Sequence, residues 1–124
     1  MHKLLTGIFK EHPGKTVYLS LDKFPRVEFD RGTMEVTNGS DAPLTPEKLA
    51  EIINSLITDE EGATLKLERF VAAQMTDEFY LRNISIQYDE KDIDVRITSR
   101  LLSDIEAEKK KIEDTANTLE LVKG

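Results

Sequence analysis

Gly14-Lys15-Thr16, with Gly7 upstream, approaches the signature of a phosphate-binding loop. Such a loop needs four residues between its glycines, and it lies between a strand and a helix so that helix N–H groups meet the phosphates. Here six residues, Ile8 to Pro13, separate the glycines. A helix is expected before the motif and a strand after it, and Pro13 removes an amide where the cradle needs one. Nucleotide hydrolysis is not expected at this position. His2 and His12 form no ligand cluster with acids at helical or strand spacing, and His2 lies in a terminus expected to fray. Asp89, Glu90, Asp92 and Asp94 are dense, but they lack the glycine and downstream glutamate of a calcium loop, so they read as a solvated hairpin tip. Asp22, Glu28 and Asp30 lie in or near strands, and acid–base work would further require a cleft and a fixed separation. Ser20, Ser85 and Ser99 stand in no nucleophile-elbow context. No catalytic, cofactor-binding or metal-ligating residue is assigned.

Composition agrees with that restraint. The 124 residues suit one domain with a core of its own. Zero cysteines exclude a disulfide scaffold, Cys-ligated zinc and thiol catalysis. A net charge of −7, with no stripe of aromatic and basic residues, argues against nucleic acid as a partner. The charge is uneven. Residues 1–45 carry six Lys/Arg and six Asp/Glu, and the remaining eleven and eighteen follow residue 45. No run is long and apolar enough for membrane insertion or a signal peptide, so a cytoplasmic, bacterial-style protein is expected.

The elements that would carry these residues follow from periodicity. Leu4, Leu5, Ile8 and Phe9 fall on one face of a helix over residues 2–11, ended by His12-Pro13-Gly14. Val17, Leu19 and Leu21 alternate as a strand. Val27 with Phe29, and Met34 with Val36, form two more around the turn Asp30-Arg31-Gly32, before a loop at 38–41. Leu44-Thr45-Pro46-Glu47 opens a helix with cap, first-turn proline, acid and hydrophobic staple. Leu49, Ile52, Ile53, Leu56 and Ile57 give its apolar stripe. Residues 59–75 suit either period. Gly62 and Thr64 weaken a helix, which leaves a strand expected at 64–71. Strands at 79–88 and 93–98 flank a polar hairpin, with Ile84, Ile86 and Tyr88 sharing one parity and Ile93, Val95 and Ile97 another. From Ser99 to about Val122 the chain is expected to be helical, with Leu102, Ile105, Lys109, Ile112, Ala116 and Leu119 forming a heptad seam. Leu102, Ile105, Ile112, Ala116 and Leu119 are the candidate partner-binding residues, for a homodimer or another protein.

The expected fold is a single α+β domain, an antiparallel sheet of five or six strands with helices on one face and a C-terminal amphipathic helix. The expected division is an α+β domain over 1–100 and a helix over 101–124, packed on it or protruding.

Several runs sharpen this. Val17-Tyr18-Leu19-Ser20-Leu21, Phe24-Pro25-Arg26-Val27-Glu28-Phe29, Gly32-Thr33-Met34-Glu35-Val36 and Pro43-Leu44-Thr45-Pro46-Glu47-Lys48-Leu49 follow one another in order. Ile53-Asn54-Ser55-Leu56-Ile57-Thr58-Asp59-Glu60-Glu61 continues them, and Ile93-Asp94-Val95-Arg96-Ile97 falls later. Together, over roughly residues 3–100, they resemble the N-terminal PAS-like domain of the PilT/GspE family of pilus and secretion motor ATPases. No Walker motif, catalytic acid or arginine pair of that motor is present to carry over. The resemblance implies a stand-alone or excised N-domain with a regulatory, protein-binding role in subunit contacts of a type IV pilus, secretion or motility motor, without hydrolysis and without a cofactor. Two alternatives fit the same features. One is a small acidic dimeric type III secretion chaperone binding a secreted effector; the other is an orphan PAS-like small-molecule sensor with an internal pocket.

Overall fold

The structure, a computed structural model, describes residues 1–36 and 42–123, with side chains through residue 119. The loop expected at 38–41 lies outside the described residues. The order is α1 (Lys3–Glu11), β1 (Val17–Ser20), β2 (Arg26–Phe29), β3 (Gly32–Glu35), α2 (Pro46–Leu56), α3 (Asp59–Glu68), β4 (Phe70–Thr76), β5 (Tyr80–Tyr88), β6 (Ile93–Leu101) and α4 (Leu102–Lys123). Six strands form one antiparallel sheet in the order β3-β2-β1-β6-β5-β4. The N-terminal hairpin and the C-terminal meander therefore meet along β1 and β6, where Val17 pairs with Ile97 and Leu19 with Val95.

Strand alternation assigns the two faces. Val17, Leu19, Val27, Ile84, Ile86, Val95 and Ile97 are at most 1% exposed and join the apolar faces of α1, α2 and α3 in one core. The two parity groups of the β5–β6 hairpin pair with each other, Ile84 opposite Ile97, Ile86 opposite Val95 and Tyr88 opposite Ile93. The start of α2 is built as its sequence requires. The Thr45 hydroxyl accepts from Lys48 N–H at 3.2 Å, Pro46 opens the helix, and Leu44 and Leu49 are both buried.

Three expectations need correction. Residues 64–71 are not a strand, because α3 runs through Glu68 and β4 begins at Phe70. A capping box at Thr58 and Glu61, with Asp59, Glu60 and Glu61 in the first turn, outweighs Gly62 and Thr64. The helix ends on Arg69 in the left-handed region, φ 62°. The tail helix starts at Leu102 and not at Ser99, because Ser99, Arg100 and Leu101 extend β6 opposite Arg82, Leu81 and Tyr80. His2 does not fray. Its Nδ1 accepts from Leu4 N–H at 3.1 Å, capping α1; its own N–H donates to Ser55 Oγ at 3.1 Å, and Nε2 reaches the Glu51 carboxylate at 3.3 Å. The first residues are thereby fastened to α2, and the His2 hydrogen bond and then the charge of Lys48 hold the Glu51 carboxyl below its usual value.

Candidate interaction surfaces

The motifs weighed for chemistry become structural parts. Gly14-Lys15-Thr16 is the turn from α1 into β1, with the Lys15 ammonium 5.8 Å from the Phe29 ring centroid and His12 edge-on to the same ring at 5.3 Å. Asp89 accepts from Lys91 N–H at 2.7 Å and Asp92 N–H at 2.8 Å, bonds that hold its carboxyl below its usual value and close the hairpin. Asp92 in turn accepts from Leu21 N–H at 3.1 Å. Asp22 sits at positive φ beyond β1, while Glu28 accepts from the Tyr18 hydroxyl at 3.2 Å. Ser99 joins the surroundings of Arg82, and Ser20 and Ser85 face the open side of the sheet. Among the described residues, no group of three or more His, Asp or Glu could hold a metal ion.

Arg82 is the strongest polar feature inside the fold, at 3% exposure. Its fork bonds the Asp77 carboxylate at 2.7 and 3.0 Å, Ser99 Oγ at 2.5 Å and the Pro13 carbonyl. Its Cζ lies 4.0 Å from the Phe9 ring centroid and 4.5 Å from that of Tyr80. One guanidinium thus joins the end of α1 to β5 and β6. Burial pushes the Asp77 carboxyl up, but bonds from Arg82, Tyr80 and Phe79 and the charge of Arg82 outweigh it and hold the carboxyl low.

Among the described residues, two surfaces present side chains suited to partners. The first is the sheet face that α1–α3 leave open. Register places Arg26, Tyr18, Arg96 and Ser85 in one row across β2, β1, β6 and β5. Ser20 is 1% exposed on this face because Arg26 Nη2 donates to its hydroxyl at 2.6 Å and the hydroxyl donates to Asp94 at 2.6 Å. Arg26 Nε is buried without a partner among the described residues, and Arg96 is exposed. A groove of about 450 Å³ runs between these groups, Gln87 and Phe70. It offers guanidinium groups to carboxylates on an otherwise acidic chain. Parity assigns Tyr18 and Ser20 to this face, since they alternate with the buried Val17 and Leu19, but the row itself needs the pairing of β1 with β2 and β6.

The second surface is α4. The domain itself partly covers Leu102 and Ile105, and Arg100 ties the base of the helix to Glu108 at 2.8 Å. Ala116 is exposed, as are Ile112 at 68% and Leu119 at 58%. The five seam residues therefore divide into two at the base and three displayed to solvent. No helix among the described residues is long and apolar enough to cross a membrane. A separate apolar cavity of about 440 Å³ opens between α2, α3 and the β5–β6 hairpin, lined by Leu21, Ile53, Ile57, Leu65, Tyr88 and Ile93 among others.

A six-stranded antiparallel sheet in this order, with three helices on one face and a helix leaving the last strand, has the fold of the N-terminal region of PilT. No protein-family model matches the sequence, and no curated protein matches it. Among solved structures, the crystal structure of the pilus retraction motor PilT with bound ADP is similar, with a TM-score of 0.64 and 14% identity. The match covers 79% of this chain and 29% of that motor. The likeness is one of fold.

Proposed function

We propose that the chain is a non-enzymatic protein-interaction module of a type IV pilus, secretion or motility motor, acting in the cytoplasm. The expected division at 100/101 moves by one residue, so that the unit ending with β6 at Leu101 is the folded part and α4 the docking helix. The observation that supports this reading is the shared fold with a pilus retraction motor, over less than a third of that motor's length. The surfaces suit docking. The Arg26–Tyr18–Arg96 row supplies directional contacts to carboxylates, and covering Ile112 and Leu119 contributes about 25 cal/mol per Å² of apolar surface removed from water. The test is affinity capture with the full chain from cells assembling type IV pili. Recovery of a motor component that is lost with Arg26→Ala/Arg96→Ala or Ile112→Glu/Leu119→Glu supports the reading. Recovery of the N-terminal segment of a secreted effector instead overturns it in favour of a chaperone.

One observation favours a second reading, a small-molecule sensor: the apolar cavity bounded by Ile53, Ile57, Leu65 and Ile93. Filling it with Ala50→Trp would abolish stabilisation by an apolar ligand if the cavity is the binding site.

A further inference from the structure

The two edges of the sheet are built differently. β3 is a short edge of four residues, Gly32 to Glu35, preceded by Asp30 and Arg31 and carrying a carboxylate of its own. Those are the devices by which proteins keep an edge from recruiting another strand. β4 has none of them. Phe70-Val71-Ala72-Ala73-Gln74-Met75-Thr76 is seven residues without a charge, a proline or a glycine. It pairs with β5 in unbroken register from Phe70–Gln87 to Thr76–Leu81, so no bulge turns it away.

Two bonds fix the phase of this ladder: Tyr88 N–H to the Arg69 carbonyl at 2.9 Å, and Asp77 N–H to the Tyr80 carbonyl at 3.0 Å. Antiparallel alternation then turns the backbone groups of Val71, Ala73 and Met75 toward β5, and those of Phe70, Ala72, Gln74 and Thr76 toward the free edge. A cavity of about 570 Å³ lies alongside Ala72, Ala73 and Gln74. Its one carboxylate, that of Glu61, already accepts from Thr58 N–H at 2.8 Å.

We infer that β4 is a self-association strand, pairing antiparallel with β4 of a second copy about a two-fold axis at Ala73. That register sets Val71 opposite Met75 and Ala73 opposite itself on the core side, with Phe70 opposite Thr76 and Ala72 opposite Gln74 on the open side. Every pair is uncharged, and the half-buried Met75 gains the cover of a valine. About eight backbone hydrogen bonds close the seam. The match of the strand to itself about the two-fold axis selects the occupant. Two chains of −7 repel each other over most of their surface, and β4 is a neutral stretch along which they can approach. The assembly stops at two copies, because pairing consumes both β4 edges and leaves the protected β3 edges outside.

The test is sedimentation velocity of the full chain from about 1 to 500 µM, with residue-resolved amide exchange at both ends of that range. The expected result is a shift from 14.1 kDa toward twice that mass, with amides of Ala72 and Gln74 exchanging at least tenfold more slowly at high concentration. Ala72→Pro removes an outward N–H without touching the β5 ladder, and Ala72→Lys places a charge on an exposed site. Both should return the monomer, while Ile112→Glu/Leu119→Glu leaves the dimer intact. A single 14.1 kDa species throughout, concentration-independent exchange at Ala72 and Gln74, open-ended oligomers, or a dimer lost only with the α4 variant would each overturn the inference. None of these outcomes depends on whether a motor component is captured.

Discussion

Replacing Arg82 should expose how much of the domain rests on one guanidinium. Arg82→Ala leaves the Pro13 carbonyl, Ser99 Oγ and the Asp77 carboxylate without their shared donor, and empties the space between Phe9 and Tyr80. Hydrogen bonds to a charged group contribute roughly 1.5–3 kcal/mol, and a desolvated cation–π contact about 2 kcal/mol. These terms are not additive. Asp77 is also 42% exposed, so water recovers part of its loss. A net cost of about 3 kcal/mol follows, a large share of the roughly 5–15 kcal/mol available to a domain of this size. With a urea slope near 2 kcal/mol per M, the midpoint should fall by about 1.5 M at unchanged slope. Arg82→Met, which retains the stem between the rings but not the fork, should fall about half as far. The pH dependence carries the sign of Asp77. Its carboxyl is depressed in the fold, so its contribution is present above the unfolded value of about 3.9 and is lost as pH falls through the folded value. The gap between wild type and Arg82→Met should therefore narrow below about pH 4. A loss under 1 kcal/mol for Arg82→Ala, or a gap that stays constant into acid, would refute the reasoning.

Other expectations are simpler. Ile52, fully buried on α2, should cost about 2–5 kcal/mol when cut to alanine, measured by the same denaturation. Arg69→Gly should stabilise by roughly 0.5–1 kcal/mol, since φ 62° strains any residue with a Cβ, and Arg69→Val should destabilise. Ile112→Glu/Leu119→Glu should leave thermal unfolding within about 0.5 kcal/mol of wild type, because both side chains stand in water, while abolishing capture of the partner.

Where one periodicity dominated, the sequence specified its element. α2 carries a full apolar stripe and a complete start, and the β5–β6 hairpin carries two alternating runs that could pair in one register. α3 escaped because it is hardly amphipathic: Leu65 is its one buried residue, and Leu67 is 85% exposed. The Thr58–Glu61 capping box was a legible signal of that helix, whereas its end was hidden by an arginine where a glycine is usual. His2 could not be placed from its neighbours because its partners, Ser55 and Glu51, lie some fifty residues away. The same holds for the open face. Arg26, Tyr18 and Arg96 form a row only once β1 is seen between β2 and β6, a pairing that joins segments distant along the chain. The α4 seam was visible as a pattern, but its division between covered and displayed residues depends on where β6 ends.

β6 and α4 meet without a linker, Leu101 closing one and Leu102 opening the other. A helix of 22 residues is about 33 Å long, so a tilt of one degree at that joint sweeps its far end through about 0.6 Å. β5 pairs with β6 up to Leu101, and Leu102 N–H donates to the Phe79 carbonyl at 2.8 Å, so the footing of the joint is β5, while β1 joins β6 four residues earlier, at Ile97. In mechanical terms α4 is a lever arm clamped at its base. A load applied at its tip enters the domain as torque on the end of β6, passing first to β5 and reaching β1 only from Ile97 inward.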